Sequence, residues 1–295
     1  MKSTVYLAPP PHTGIHTAIM RRAVKLWHSG FTLESATDAL HSWRGAYSFR
    51  RPVTDRELVE AISKAYRQPQ ASFGAPRLPR SATDKQTAWP PPDPQKRARL
   101  VSEGFCLYDL WELSPWKPTD SAQYTHFLLE RLFPGDPLLC IGHTMSHFDT
   151  RPLSQWSELQ RAQFLVPSPM RALRGMKRDG SGESAHTLDN TGPRRFLVVD
   201  FDDHHGLNIH AAAAWFLAEK LPLALVLHSG GKGLHAWFLA EGRSESELRA
   251  FFSLAVECGG DPVLWGRSQF VRMPDGRREN GVIQRAYYFN REVLS

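Results

Sequence analysis

Cysteine is scarce. Three residues, Cys106, Cys140 and Cys258, lie far apart and are odd in number, which argues against a disulfide framework and fits a reducing compartment. No apolar run approaches the length of a bilayer crossing, and the opening "MKSTVYLAPPPHTG" has no apolar stretch behind its lysine. A cytoplasmic protein without a membrane partner is therefore expected. Nothing matches GxxxxGK[ST], so a P-loop motor is excluded and any unwinding of nucleic acid needs a separate helicase. Internal repeats are also absent. Acidic residues are outnumbered, 30 against 36 Lys and Arg, and the resulting net charge of +6 favours polyanionic partners, nucleic acid before membrane. An apolar fraction of 41% in 295 residues is ordinary for a folded chain of one large domain or two smaller ones.

Proline, by contrast, is concentrated. The stretch from Gln68 to Arg99, "QPQASFGAPRLPRSATDKQTAWPPPDPQKRAR", has little apolar periodicity and reads as a semi-extended linker over 69–99. Upstream, residues 1–68 hold three helical patterns. Ile15, Ile19, Ala23 and Leu26 share a helical face that stops at Gly30; Leu33, Ala36 and Leu40 repeat it; Leu58, Ile62 and Ala65 follow Thr54 and Glu57 in capping-box spacing. Downstream, "FCLYDLWEL", "LLCIGHT" and "AQFLVPSPM" read as strands and "SAQYTHFLLERLF" as a helix.

From Arg195 the pattern sharpens into β-α-β-β-α-β: "RFLVVDFDD", "NIHAAAAWFLAEK", "LALVLHS", "LHAWFLA", "SESELRAFFSLAVEC" and "SQFVRMP". This is the order of a split βαβ unit, an antiparallel sheet with both helices on one face, the other face open, and the first strand between the third and fourth. Asp200 and Asp202 are two apart on the first strand and so leave the same face, with Val199 and Phe201 turned to the helices. His235 starts the neighbouring third strand and Asp261 precedes the fourth. Four polar groups are thus expected to meet on one face.

Between the second and third strands lies "HSGGKGLHAWF". A strand follows the glycines, so this is a hairpin turn whose glycines supply positive φ. Glycine amides, Ser229, Lys232 and His235 offer more donors than a turn needs, and such a tip can hold a triphosphate.

"LVVDFD", "SGGKGLHAWF" and "GGDPVLWGRSQFVRMP", in that order, resemble the three motifs of the archaeo-eukaryotic primase superfamily, the primase-polymerases of archaea, plasmids, phages and DNA-repair ligases. The resemblance implies an α+β chain. An RRM-like half over 195–295 would lie in a catalytic domain spanning 100–295. It implies that Asp200, Asp202 and Asp261 are catalytic ligands of two Mg²⁺ or Mn²⁺ ions. Ser229, Lys232, His235 and Arg272 would bind the nucleotide, with Pro274 completing an Arg-x-Pro segment. The implied activity is template-directed nucleotidyl transfer from NTPs or dNTPs, making primers on single-stranded DNA. The N-terminal module resembles the helical domain that many phage and plasmid primases carry after the core, although here it comes before.

Relatives often carry a zinc insertion. Cys140, His143 and His147 give C-x2-H-x3-H with Cys106 as a conceivable fourth ligand, but "LLCIG" also reads as a buried strand and paired cysteines are missing, so zinc is not expected. Three other classes fit parts of the pattern. They are a replication-initiator or adaptor that binds DNA without polymerising, a metal-dependent nuclease, and a D-x-D nucleotidyl or glycosyl transferase. Asp203 reads as a solvated turn acid, and "RALRGMKRDG" and "DGRRENG" as basic loops that either contact phosphate or are merely solvated.

Overall fold

The computed structural model describes residues 32–46, 52–66, 88–117 and 124–294, with Ile19, Arg22, Ala23 and Leu26 before them. Two units divide the chain, residues 1–76 and 77–295. In the first, helices α1 (Leu33–Ala46) and α2 (Asp55–Tyr66) bury Ala36, Leu40 and Trp43 and Leu58, Ala61, Ile62 and Ala65; Ile19, Ala23 and Leu26 are buried too. The expected capping box is present: the Thr54 backbone N–H donates to the Glu57 carboxylate at 3.0 Å and the Glu57 N–H to Thr54 Oγ1 at 3.3 Å. The Gly30 stop and most of the linker lie outside the described residues.

The second unit is mixed α and β. Helices α3 (Pro94–Ser102), α4 (Leu107–Glu112) and α5 (Thr125–Leu132) precede strands β1 (Leu138–Gly142), β2 (Phe148–Pro152), β3 (Phe164–Leu165), β4 (Gly175–Met176) and β5 (Glu183–Ser184). Then come β6 (Phe196–Phe201), α6 (Leu207–Ala218), β7 (Leu223–His228), β8 (Leu234–Leu239), α7 (Glu245–Glu257), β9 (Val271–Arg272) and β10 (Ala286–Phe289). One antiparallel sheet runs β2-β1-β3-β9 and another β10-β7-β8-β6, with β4 and β5 as a separate pair.

Two segments differ from the sequence reading. "FCLYDLWEL" is helical rather than extended because Cys106 acts as N-cap and the Asp109 carboxylate takes the Cys106 N–H at 2.9 Å. Within the supposed linker, Asp93 caps a helix with Pro94 in its first turn, and Trp89 meets the rings of Phe252 and Trp265 at 5.1 and 5.3 Å.

The split unit holds for three strands. β8 lies between β6 and β7 and is antiparallel to both, so β6-α6-β7 is a crossover around it. The fourth strand is elsewhere: β9 pairs with β3 in the other sheet, leaving β6 at the edge, and β10 extends the far side through β7.

Nor is the second face open. Register stacks Phe196 with Leu239, Val198 with Trp237, and Asp200 with His235. The first two pairs join one core with Leu139, Ile141, Leu165 and Val271 of the other sheet and Leu128 and Leu132 of α5. Val199 and Phe201 face the helices as expected: Phe201 stacks on His210 of α6 at 6.0 Å, and Phe238 of β8 meets Phe251 of α7 at 4.8 Å. Asp200 and His235 therefore end an apolar row sandwiched between two sheets. No described helix is long and apolar enough to cross a membrane.

Candidate functional site

Position along β6 decides what surrounds Asp200. Its side chain is 21% exposed and that of His235 is 5% exposed, and His235 Nε2 lies 3.4 Å from Asp200 Oδ2. The Arg272 backbone N–H donates to His235 Nδ1 at 3.3 Å, which leaves Nε2 as the protonated nitrogen facing the carboxylate. Burial alone would raise the Asp200 pKa. The electrostatic pull and hydrogen bond of His235, with lesser help from Arg272 and His210, outweigh it and hold the carboxyl below its ordinary value. Its other oxygen, Oδ1, is buried without a hydrogen-bond partner.

Asp261 reaches this place through two glycines. A Cβ on Gly259, at φ +104°, would stand 2.0 Å from Arg97 Nη2; one on Gly260 would stand 2.6 Å from Val199 Cγ1. Without them the turn after α7 could not close against β6. The Asp261 N–H then donates to the Asp200 carbonyl at 2.8 Å along the edge that the expected fourth strand would have occupied. Its carboxylate caps the short 3₁₀ helix Pro262–Trp265, accepting the Val263 N–H at 2.9 Å.

Asp202 lies just past β6 and is exposed. Partial burial raises its pKa, and so do the negative charges of Asp200, Asp261 and Asp203. The three expected carboxylates therefore share one locality. Among the described residues no three His, Cys, Asp or Glu side chains stand as a ready-made cage for a metal ion. The donor set still suits a hard cation that keeps other oxygen ligands: Mg²⁺ is usually held by one or two carboxylates plus substrate phosphates, and an unpartnered buried carboxylate oxygen beside a repelled neighbour is where such an ion relieves cost.

Asp203 departs from its expected role. Arg97 Nη2 donates to its Oδ2 at 2.5 Å, while the His205 backbone N–H and His210 Nε2 meet its Oδ1 at 3.0 and 2.9 Å. It fixes the turn that carries Asp202. Neither Arg97 nor His210 is prominent in the sequence, since the one sits in a proline-rich stretch and the other on an alanine-rich helix.

The hairpin comes to the same end of β6. A Cβ on Gly233 would meet the Phe201 carbonyl oxygen at 2.2 Å and Asp202 Cα at 2.8 Å, so glycine is what lets the turn press against the acidic segment. The Ser229 N–H donates to Gly233 O at 2.9 Å, and the Gly233 N–H to Ser229 Oγ at 3.4 Å, which turns that hydroxyl into the hairpin. Lys232 is exposed at the tip. Arg278 lies over Gly230 and Gly231 and reaches the Ser229 carbonyl at 3.5 Å. Arg272 of β9 sits 4.7 Å from the Phe164 ring; burial and the Arg278 charge both weaken its hold on its proton, and Asp200 opposes them. Cations thus gather by the glycine tip and carboxylates at the strand end. Arg278 is the residue missed by name, although it lies in the "DGRRENG" loop.

Of the zinc candidates, Cys140 is buried among Val166, Met170 and Phe270 with its thiol pKa pushed up to about 12 by burial, and Cys106 caps α4. His143 approaches the Arg161 carbonyl at 3.3 Å. No protein-family model, curated protein or solved structure matches the chain.

Proposed function

We propose that the chain is a DNA primase-polymerase that transfers nucleotides from NTPs or dNTPs onto a strand templated by single-stranded DNA, with an RRM-like core of the archaeo-eukaryotic primase type. One observation carries the reading: a buried, unpartnered oxygen of Asp200 lies in the carboxylate group of Asp202 and Asp261, and a glycine-tipped hairpin flanked by Arg272 and Arg278 abuts that group. Polymerisation needs this pairing, because a nucleoside triphosphate brings negative charge that cations must orient while its α-phosphate faces the attacking hydroxyl.

Asp200, Asp202 and Asp261 would hold Mg²⁺ or Mn²⁺, whose chemistry when bound is to ease deprotonation of the 3′-hydroxyl and offset charge on the departing pyrophosphate. The chain's own residues do the positioning. Lys232 and Arg278 bind the triphosphate tail, and Arg272 adds charge from β9. His235, held by the Arg272 N–H, orients Asp200 and keeps it ionised.

The test is incorporation of labelled nucleotide on a single-stranded template with Mn²⁺. Asp202→Ala and Asp261→Ala are expected to abolish it with unchanged circular dichroism, and product made by both variants overturns the assignment. A second reading, a DNA-binding initiator that does not polymerise, draws on the Asp261 carboxylate being engaged as a helix cap. In that case the wild type binds single-stranded DNA but makes no product with any nucleotide.

A further inference from the structure

Arginines also gather at the other end of β6. Phe196 and Phe201 are five residues apart on the strand, so at about 3.3 Å per residue that end lies ~16 Å from the carboxylates. An open cavity of about 330 Å³ there is lined by Arg171, Gly192, Arg194, Arg243, Glu245 and Arg267, among others. Four arginines face one carboxylate.

They are not equally committed. Arg194, 8% exposed, donates through Nε to Glu245 at 3.0 Å and through Nη2 to the Trp265 carbonyl at 2.7 Å, with its guanidinium 4.4 Å from the Trp265 ring. It forms the rigid floor. Among the described residues Arg267 Nε is buried without a partner, and Nη2 reaches the Leu188 carbonyl at 3.4 Å. Arg243 makes no ion pair among the described residues, and Arg171 has one exposed pair, with Asp189 at 2.9 Å. Guanidinium groups with few protein partners keep donors for an acceptor that enters the cavity. Planar guanidinium groups match the tetrahedral oxygens of phosphate.

We infer that this pocket is a second phosphate site, separate from the hairpin, that takes a phosphate group carried either by a nucleic-acid strand or by a free polyphosphate. Arg267 and Arg243 supply the open donors, Arg194 holds the floor, and Glu245 is the group the ligand displaces. A phosphate binds there whether or not the carboxylate end of β6 supports polymerisation.

The test measures binding in the full chain carrying Lys232→Ala and Arg278→Ala, so that the hairpin contributes nothing. The probes are inorganic tripolyphosphate, by calorimetry, and a fluorescein-labelled single-stranded oligodeoxynucleotide, by anisotropy. Arg243→Glu is expected to weaken binding about tenfold and Glu245→Gln to tighten it several-fold, since the latter removes the competing carboxylate; a misfolded variant cannot show the second effect. Changes for the oligonucleotide alone assign the phosphate to a strand, and changes for tripolyphosphate alone assign it to a small ligand. If both variants stay within twofold of their background for both probes, the pocket binds no phosphate. Loss of templated incorporation in Asp202→Ala bears only on the polymerase reading.

Discussion

Asp200 and Asp202 stand two residues apart yet answer to opposite forces. His235 and its cationic neighbours hold Asp200 ionised, whereas like charge and partial burial resist ionisation of Asp202. Because the folded-state pKa of Asp200 is depressed, its stabilising contribution is present above the unfolded value near 4 and is lost as pH falls through the lower folded value. The stability gap between wild type and Asp200→Asn, followed by urea denaturation, is therefore expected to shrink below about pH 4. Asp202 has the reverse sign, since its raised folded pKa means that ionisation costs stability as pH rises. Asp202→Asn should raise the melting temperature at pH 7 by ~1 °C, the scale of an exposed charge interaction in a chain this long, and should blunt the further rise that Mn²⁺ gives the wild type. Equal Mn²⁺ shifts in both proteins would count against a cation at Asp202. The acids and the hairpin were legible in the sequence because strand alternation and glycine spacing are local rules. The Arg272 N–H that fixes His235, Asp203 bound to Arg97, and Arg278 over the glycines were not, because each depends on contacts between segments far apart in the chain.

Elements bring these residues together, and the hairpin between β7 and β8 depends on one close approach. Gly233→Ala puts a methyl 2.2 Å from the Phe201 carbonyl oxygen, backbone that cannot move aside cheaply. Overpacking of this kind costs about 1–3 kcal/mol, so denaturation should report that loss, and triphosphate affinity should fall as the tip swings away from Asp202. Unchanged affinity would mean that the hairpin does not hold the phosphates. The Arg97–Asp203 pair joins α3 to the same turn, with side chains 16% and 24% exposed. Asp203→Ala leaves that guanidinium without its carboxylate, which should cost ~2 kcal/mol in a denaturant titration. Most helices and the strands of the β6-β7-β8 sheet follow from periodicity and caps, Ser244 with Glu247 on α7 among them. The place of Val271–Arg272 does not. "SQFVRMP" is strand-like wherever it pairs, and nothing local says that its partner is Phe164–Leu165 rather than β6. Reading "FCLYDLWEL" as a strand fails for a related reason, since a short apolar run carries both periods until its cap decides.

At the scale of the whole chain, a charge of +6 says little about where an anion binds; distribution says more. Cations collect near both ends of β6, Lys232, Arg272 and Arg278 by the hairpin and Arg171, Arg194, Arg243 and Arg267 around the cavity. If a single strand touches both places, each phosphate neutralised releases condensed counterions and contributes about 0.7 to the slope of log affinity against log salt concentration. Arg278→Glu and Arg243→Glu should each lower that slope by roughly this amount or more, and the double variant should lower it by their sum, because sites ~16 Å apart with no shared partner are expected to add. Anisotropy titrations of a labelled oligonucleotide between low and moderate salt measure this directly. A double variant no worse than either single one would mean that the strand uses one site at a time. Residues 77–295 contain both arginine groups and their own core, so the same slopes are expected from that unit expressed alone. A fragment that folds but binds DNA with a markedly smaller slope would show that the helical unit at 1–76 supplies phosphate contacts of its own.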